Sequence, residues 1–219
     1  MQEKRATARR RKMNTLRNTK SLALLGVLLA IEIILNFTPL GLIPLGFMNA
    51  TTLHIPVIIG AIFLGPIGGG ILGAAFGILS VITNTIRPNI TSFVFSPFIT
   101  ISNTSGNFTS LIIAIVPRIL IGVVAYYVYK WVSKKCKSKV TAYSLAALAG
   151  SLTNTILVMG SIYVFFGPAY AAAKELAFEA LFGVILSVVG INGVPEAIVA
   201  AIVVSTICKV LSQIYKKRA

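Results

Sequence analysis

The sequence predicts an all-α integral membrane protein, a bundle of six transmembrane helices with both termini in the cytoplasm. Three observations predict it. The 219 residues are 56% hydrophobic and only 11% charged, with a mean hydropathy of +0.89, outside the soluble range. The apolar residues fall into several separate runs approaching the ~20 residues needed to cross a bilayer, without the alternation of a β-barrel. The Lys and Arg residues stand in three blocks, 1–20, 130–139 and 209–218, which hold all but three of the 20. Basic blocks beside apolar spans stay on the cytoplasmic side. The net charge of +15 therefore reports topology and not a nucleic-acid partner.

Residues 1–20 read as a basic cytoplasmic arm, 21–214 as the membrane domain and 215–219 as a cytoplasmic tail. Span one runs from about Ser21 to Phe37 and lacks a small-residue cleavage pattern, so it is expected to be retained. Glu32 sits near its outer end, to be neutral, paired or snorkelling to the interface. Residues 38–52, with Pro39, Gly41, Pro44 and Gly46, form an outer loop. Span two, Leu53 to Leu64, and span three, Ile67 to Thr83, meet at an inner Gly65-Pro66 corner. Gly65, Gly69, Gly73 and Gly77 recur every fourth residue, which puts a small-residue packing face on one side of a helix. Residues 84–107 are too polar and too interrupted by Pro to cross, and make a long outer loop of the kind that is commonly functional.

Span four, Phe108 to Trp131, ends in the second basic block, where Tyr126, Tyr127, Tyr129 and Trp131 form an aromatic belt. Span five runs from Ala142 to Phe166. One helix over Lys174–Leu211 would be ~57 Å long against a ~30 Å hydrocarbon core. The Gly190–Glu196 stretch, with Asn192 as cap, Pro195 in the first turn and Glu196 at the positive helix start, supplies a break. Span six then covers Asn192–Leu211, and 174–189 is a separate apolar helix on or dipping into the outer face.

Enzyme chemistry is poorly supplied by one histidine and no aspartate. Gly68–Gly73 matches G-x-G-x-x-G, but inside a membrane helix it lacks the βαβ unit that a dinucleotide site needs. Without a phosphate-binding G-x-x-x-x-G-K-[ST], ATP hydrolysis is not expected of this chain. Cys136 and Cys208 show no metal or disulfide spacing, so neither metal nor cofactor is expected.

Polar groups at membrane depth are costly and tend to face a cavity or one another. Asn84 and Arg87 lie just outside span three, Arg118 midway along span four after Pro117, and Asn154 midway along span five with Tyr163 nearer its outer end. Asn192 and Glu196 open span six. A pocket open to the outside, lined from spans three to six and lidded by residues 84–107, would collect them. The plainer reading is that Arg118 and Asn154 bond helices together, Arg118 paired with Glu196. His54 is expected as a hydrogen-bonding residue at a helix start.

The pieces LHIPVIIGAIFLGPIGGGILGAAFGILS, TSFVFSPF, PRILIGVVA, GSLTNTILVMGSIY and NGVPEAIVAAI together resemble the substrate-binding S components of energy-coupling factor (ECF) transporters, over nearly the whole chain from Ser21. The resemblance implies a six-helix subunit of the prokaryotic cytoplasmic membrane. Such a subunit captures a vitamin, docks on a transmembrane T component with two ATPases, and topples to release its cargo inside. The family's A-x-x-x-A docking pattern on the first helix is matched by Gly26 and Ala30, the Gly keeping the surface small. GSLTNTILV and NGVPEAIVAAI look most similar to the pantothenate-specific type. On that resemblance Arg87 or Arg118 would pair the carboxylate, while Asn84, Asn154 and Asn192 would bond hydroxyl and amide groups. Folate, hydroxymethylpyrimidine and riboflavin remain open, a flavin drawing on aromatics such as Tyr163, Phe93, Phe95 and Phe98. A stand-alone secondary transporter, with Glu196 as its titratable residue, is the other class.

Overall fold

A computed structural model describes residues 19–44, 49–101 and 104–217, with the side chains of 40, 42–50 and 215–217 left aside. The basic arm before residue 19 and the last two residues of the tail lie outside the described residues. Six α-helices make up most of what is described: α1 Thr19–Phe37, α2 His54–Ile86, α3 Phe108–Lys135, α4 Lys139–Ala173, α5 Phe178–Val188 and α6 Val194–Lys217. Five stretches are long and apolar enough to cross a membrane, α5 and α6 counting as one. The expected outer loops are not wholly irregular. Residues 42–44 (β1) and 49–51 (β2) pair as a short antiparallel hairpin, as do 100–101 (β3) and 104–105 (β4).

A straight α2 of 33 residues would be ~50 Å long. It is not straight. Gly65 has φ +83°, a conformation open to glycine at little cost, and Pro66 then restarts the helix in a position that asks for no N–H. The arm His54–Leu64 lies back against the arm Pro66–Ile86: a Cβ placed on Gly69 would sit 2.6 Å from the Ala61 Cβ, and Gly60 faces Leu72. The two apolar runs predicted as spans two and three are thus the arms of one helical hairpin. Its first arm fills the middle of the bundle, where Val57, Ile58 and Ala61 are fully buried among Ile121, Ala125, Ala146, Ala147 and Val204.

The glycine face performs the packing that its spacing predicts. Gly73 lies against the Arg118 carbonyl and Gly77 against the Ala114 carbonyl, while Gly69 and Gly122 meet backbone to backbone. The second arm of α2 and α3 therefore run antiparallel at backbone contact, the small-residue mode that substitutes for hydrophobic drive in lipid. Gly65, by contrast, belongs to the corner and has open space around its Cα.

The path from α5 to α6 differs from expectation. The predicted break is a π-turn, Val189–Gly193, with Val188, Val189 and Val194 all in the right-handed helical region. Pro195 lacks an N–H, and its ring crowds the carbonyl four residues back; a wider turn makes room for it without ending the helix. Residues 178–188 are therefore the forward extension of α6 and not a separate helix. They pack on α4, where Tyr163 stacks on Phe178 at 5.8 Å and Gly193 fits against Thr155. α4 itself reaches Ala173, beyond the predicted end at Phe166.

α1 is peripheral. Of its 19 residues only Leu28 and Glu32 are buried, and Gly26 and Ala30 face outward. Glu32 does not snorkel: it is 0% exposed, and neither carboxyl oxygen has a partner among the described residues.

Replacing Gly73 by Ala should destabilise the fold by about 1–3 kcal/mol, because its methyl group meets helix backbone that cannot turn aside. Gly26→Ala should leave stability unchanged or raise it by up to about 1 kcal/mol, since nothing lies within 4 Å of the added Cβ and alanine is the better helix former. Thermal unfolding of the two variants in detergent checks both.

Candidate functional site

The site begins with a missing hydrogen. Pro117 sits inside α3 and has no N–H for the Ile113 carbonyl four residues before it. Arg118 fills that gap: its Nη1 donates to the Ile113 carbonyl at 2.7 Å. Its guanidinium lies over the rings of Phe76, at 5.5 Å, and Phe95, at 5.3 Å. The residue is only 6% exposed, its Nε has no partner, and no carboxylate among the described residues pairs with it. The expected Arg118–Glu196 pair is absent.

Arg118 forms one wall of a cavity of about 260 Å³. Asn154 of α4 and Phe76, Ser80, Thr83 and Asn84 of α2 line it, with Leu35 and Asn36 at the end of α1. Thr38, Gly41, Thr51 and Leu53 close it from the outer-hairpin segment, and Asn89 and Phe95 from the segment after α2. Asn154 lines the cavity, and its Oδ1 is buried without a partner among the described residues. The walls come from α1 to α4 and the loops between them, rather than from the predicted spans three to six.

The described residues 87–101 act less as a loose lid than as a plug. Asn84 ties them down: its Nδ2 donates to the Ser80 carbonyl and its Oδ1 accepts from Ser92 Oγ, each at 2.8 Å. Thr85 meets Ser96 at 2.7 Å, and Ser110 donates to the Phe93 carbonyl at 2.7 Å. Phe93 and Val94 are fully buried against Ile113, Val158, Ile162 and Phe166. At the rim, Asn36 Nδ2 donates to Thr83 Oγ1 at 2.8 Å and joins α1 to α2.

Of the residues predicted from sequence, Asn84, Arg118 and Asn154 come together here. Glu196 stands one step behind the wall, where its carboxylate accepts from the Thr51 N–H at 2.9 Å and so ties the outer hairpin to α6. His54 opens α2 as expected, but the expected hydrogen bond is absent: the ring is buried, neither nitrogen has a hydrogen-bond partner among the described residues, and Nδ1 lies 3.7 Å from Glu196 Oε1. Arg87 is exposed just past the end of α2 and borders a separate crevice with Asn36, Phe37, Thr83 and Ile86. Tyr163 belongs to the contact with Phe178 and Phe182, and Asn192 to the π-turn; neither lines the cavity. Sequence reasoning missed Asn36, Thr83 and Asn89; a search for Asn and Thr just inside the span ends would have found the first two, while Asn89 lies in the segment past α2.

A family model described as "ECF transporter, substrate-specific component" matches residues 20–208. The chain belongs to this family. Among the relatives of this substrate-specific component is the "Pantothenic acid transporter PanT" of Lactococcus lactis subsp. cremoris (strain MG1363), 39% identical over 167 residues, covering 76% of this chain and 79% of that protein. Family and relative point to transport rather than catalysis. Together with the apolar helices they describe a multi-pass membrane protein.

The tie between Glu196 and Thr51 predicts an ordered loss. Glu196→Gln keeps an acceptor oxygen and should lower the thermal midpoint less than Glu196→Ala, which strands the Thr51 N–H at a cost of about 1–3 kcal/mol. Equal midpoints for the two variants would remove the tie from the account.

Proposed function

We propose that this chain is the high-affinity capture subunit of an ECF-type importer and that its cargo is pantothenate. The observation that carries the reading is Arg118, a nearly buried cation without a described carboxylate partner at the wall of a cavity otherwise lined by neutral side chains. An isolated charge at that depth costs several kcal/mol, and an anionic ligand offsets the cost by pairing with it. The 39% identical relative named for pantothenic acid supports the choice of anion. So does size: about 260 Å³ lies at the small end of ligand pockets, suited to a compact hydroxy-amide acid and tight for a flavin or folate.

In this reading the carboxylate meets Arg118. The amide or hydroxyl groups meet the Asn154 side chain, and the outer end of the ligand lies among Asn36, Thr83 and Asn89. Asn84, with both side-chain atoms engaged, shapes the wall rather than gripping the ligand. Arg87, Tyr163 and Asn192 take no part. The chain crosses the cytoplasmic membrane six times with both termini inside, the two arms of α2 being separate crossings. Cargo release depends on docking to a T component and two ATPases through the outward Gly26 and Ala30 of α1.

Calorimetry on the detergent-purified protein should show pantothenate binding. Arg118→Ala should weaken it by about 10- to 150-fold, the equivalent of ~1.5–3 kcal/mol for a charged hydrogen bond. Arg87→Ala should leave it within about threefold, as a surface charge does. Vesicles holding the chain alone should accumulate no pantothenate until the T component, ATPases and ATP are supplied. Accumulation driven by a proton gradient in the chain alone would overturn the reading.

A further inference from the structure

The bond between Arg118 and the Ile113 carbonyl exists because residue 117 is proline. In an unbroken α-helix the carbonyl of residue 113 receives the N–H of residue 117; Pro117 has none, and Ile113 is fully buried, so no water serves that oxygen. Arg118 Nη1 takes it at 2.7 Å. The acceptor lies five residues back along α3, so the bond turns the side chain toward the start of the helix. That is the side on which Phe95 and the cavity lie. One edge of the guanidinium is thereby anchored to its own helix, and Nε remains without a partner.

We propose that Pro117 is a positioning residue for the anionic end of the ligand: by withholding an N–H from the Ile113 carbonyl it reserves that acceptor for Arg118 and aims the guanidinium into the cavity. The inference rests on the reading of Arg118 as the carboxylate partner and adds the reason for its orientation. A residue that restores the N–H at 117 completes the helical bond, displaces Arg118 Nη1 and frees the side chain to leave the cavity wall. The helix itself gains from the change, since proline is the least favourable residue in a helix interior. Loss of fold is therefore not the expected outcome.

The experiment compares pantothenate with its uncharged analogue, in which a primary alcohol replaces the carboxylate, on the full-length protein in detergent. Wild type should prefer the acid by about tenfold or more. In Pro117→Ala, and in Pro117→Leu as a second variant with the same restored N–H, that preference should shrink by about fivefold or more. Affinity for the alcohol should stay within about twofold, and the thermal midpoint should not fall. An acid preference equal to that of wild type in both variants overturns the inference, and so does an equal loss of both ligands, which would mark Pro117 as structural only. Wild type binding neither compound overturns the pantothenate reading, and this inference with it. Wild type binding both equally removes Arg118 as the carboxylate partner while leaving pantothenate as the cargo.

Discussion

Everything in this bundle depends on how closely the second arm of α2 approaches α3. Lipid offers no hydrophobic drive to hold two helices together, so contact must come from packing alone. Gly69, Gly73 and Gly77 remove side chains from one face of α2, and the backbone of Gly122, Arg118 and Ala114 moves into the space. The register of that contact decides where Arg118 stands. Its carbonyl is held against Gly73, so its side chain emerges beside Phe76, the neighbour of Gly77 on α2, and reaches the same cavity. A helix pair separated by ordinary side chains would leave the guanidinium a shell further from Phe76.

The hydrogen bonds around the cavity follow from that placement. The described residues 87–101 bury Phe93 and Val94, which is possible because Asn84, Thr85, Ser92, Ser96 and Ser110 satisfy polar groups that go down with them. On the other side Glu196 holds the Thr51 N–H and fastens the outer hairpin. The cavity is therefore walled by segments that are themselves tied down. What stays without a partner among the described residues is the Nε of Arg118 and the Oδ1 of Asn154.

Features written in short-range spacing were legible in the sequence. The four-residue glycine repeat and the Gly65-Pro66 corner follow from local geometry, and both are present. Arg118 stood out because it follows a proline at membrane depth. Features that depend on which way a helix faces were not legible. Arg87 and Arg118 look equally suited to a carboxylate, yet Arg87 falls just past the last turn of α2 and points to the surface, while Arg118 lies opposite a glycine. Tyr163 lies about two and a half turns beyond Asn154 along α4, on the side that meets Phe178. Pro195 signalled a break, but a π-turn absorbs a proline as well as a helix end does, and residue type alone does not separate the two. The burial of Phe93 and Val94 was hidden by their polar neighbours, because tertiary contacts with α3 and α4 decide it.

Backbone contact between α2 and α3 also has a bearing on how such a scaffold diversifies. Because the two helices touch through glycine and carbonyl atoms, the side chains around the cavity carry little of the packing between them. Asn154 and Asn89 stand apart from the glycine contact between the two helices, whereas a methyl group at Gly73 would press on the α3 backbone. The molecule thus separates the frame that holds the helices together from the side chains that line the cavity, so the lining can differ while the frame stays.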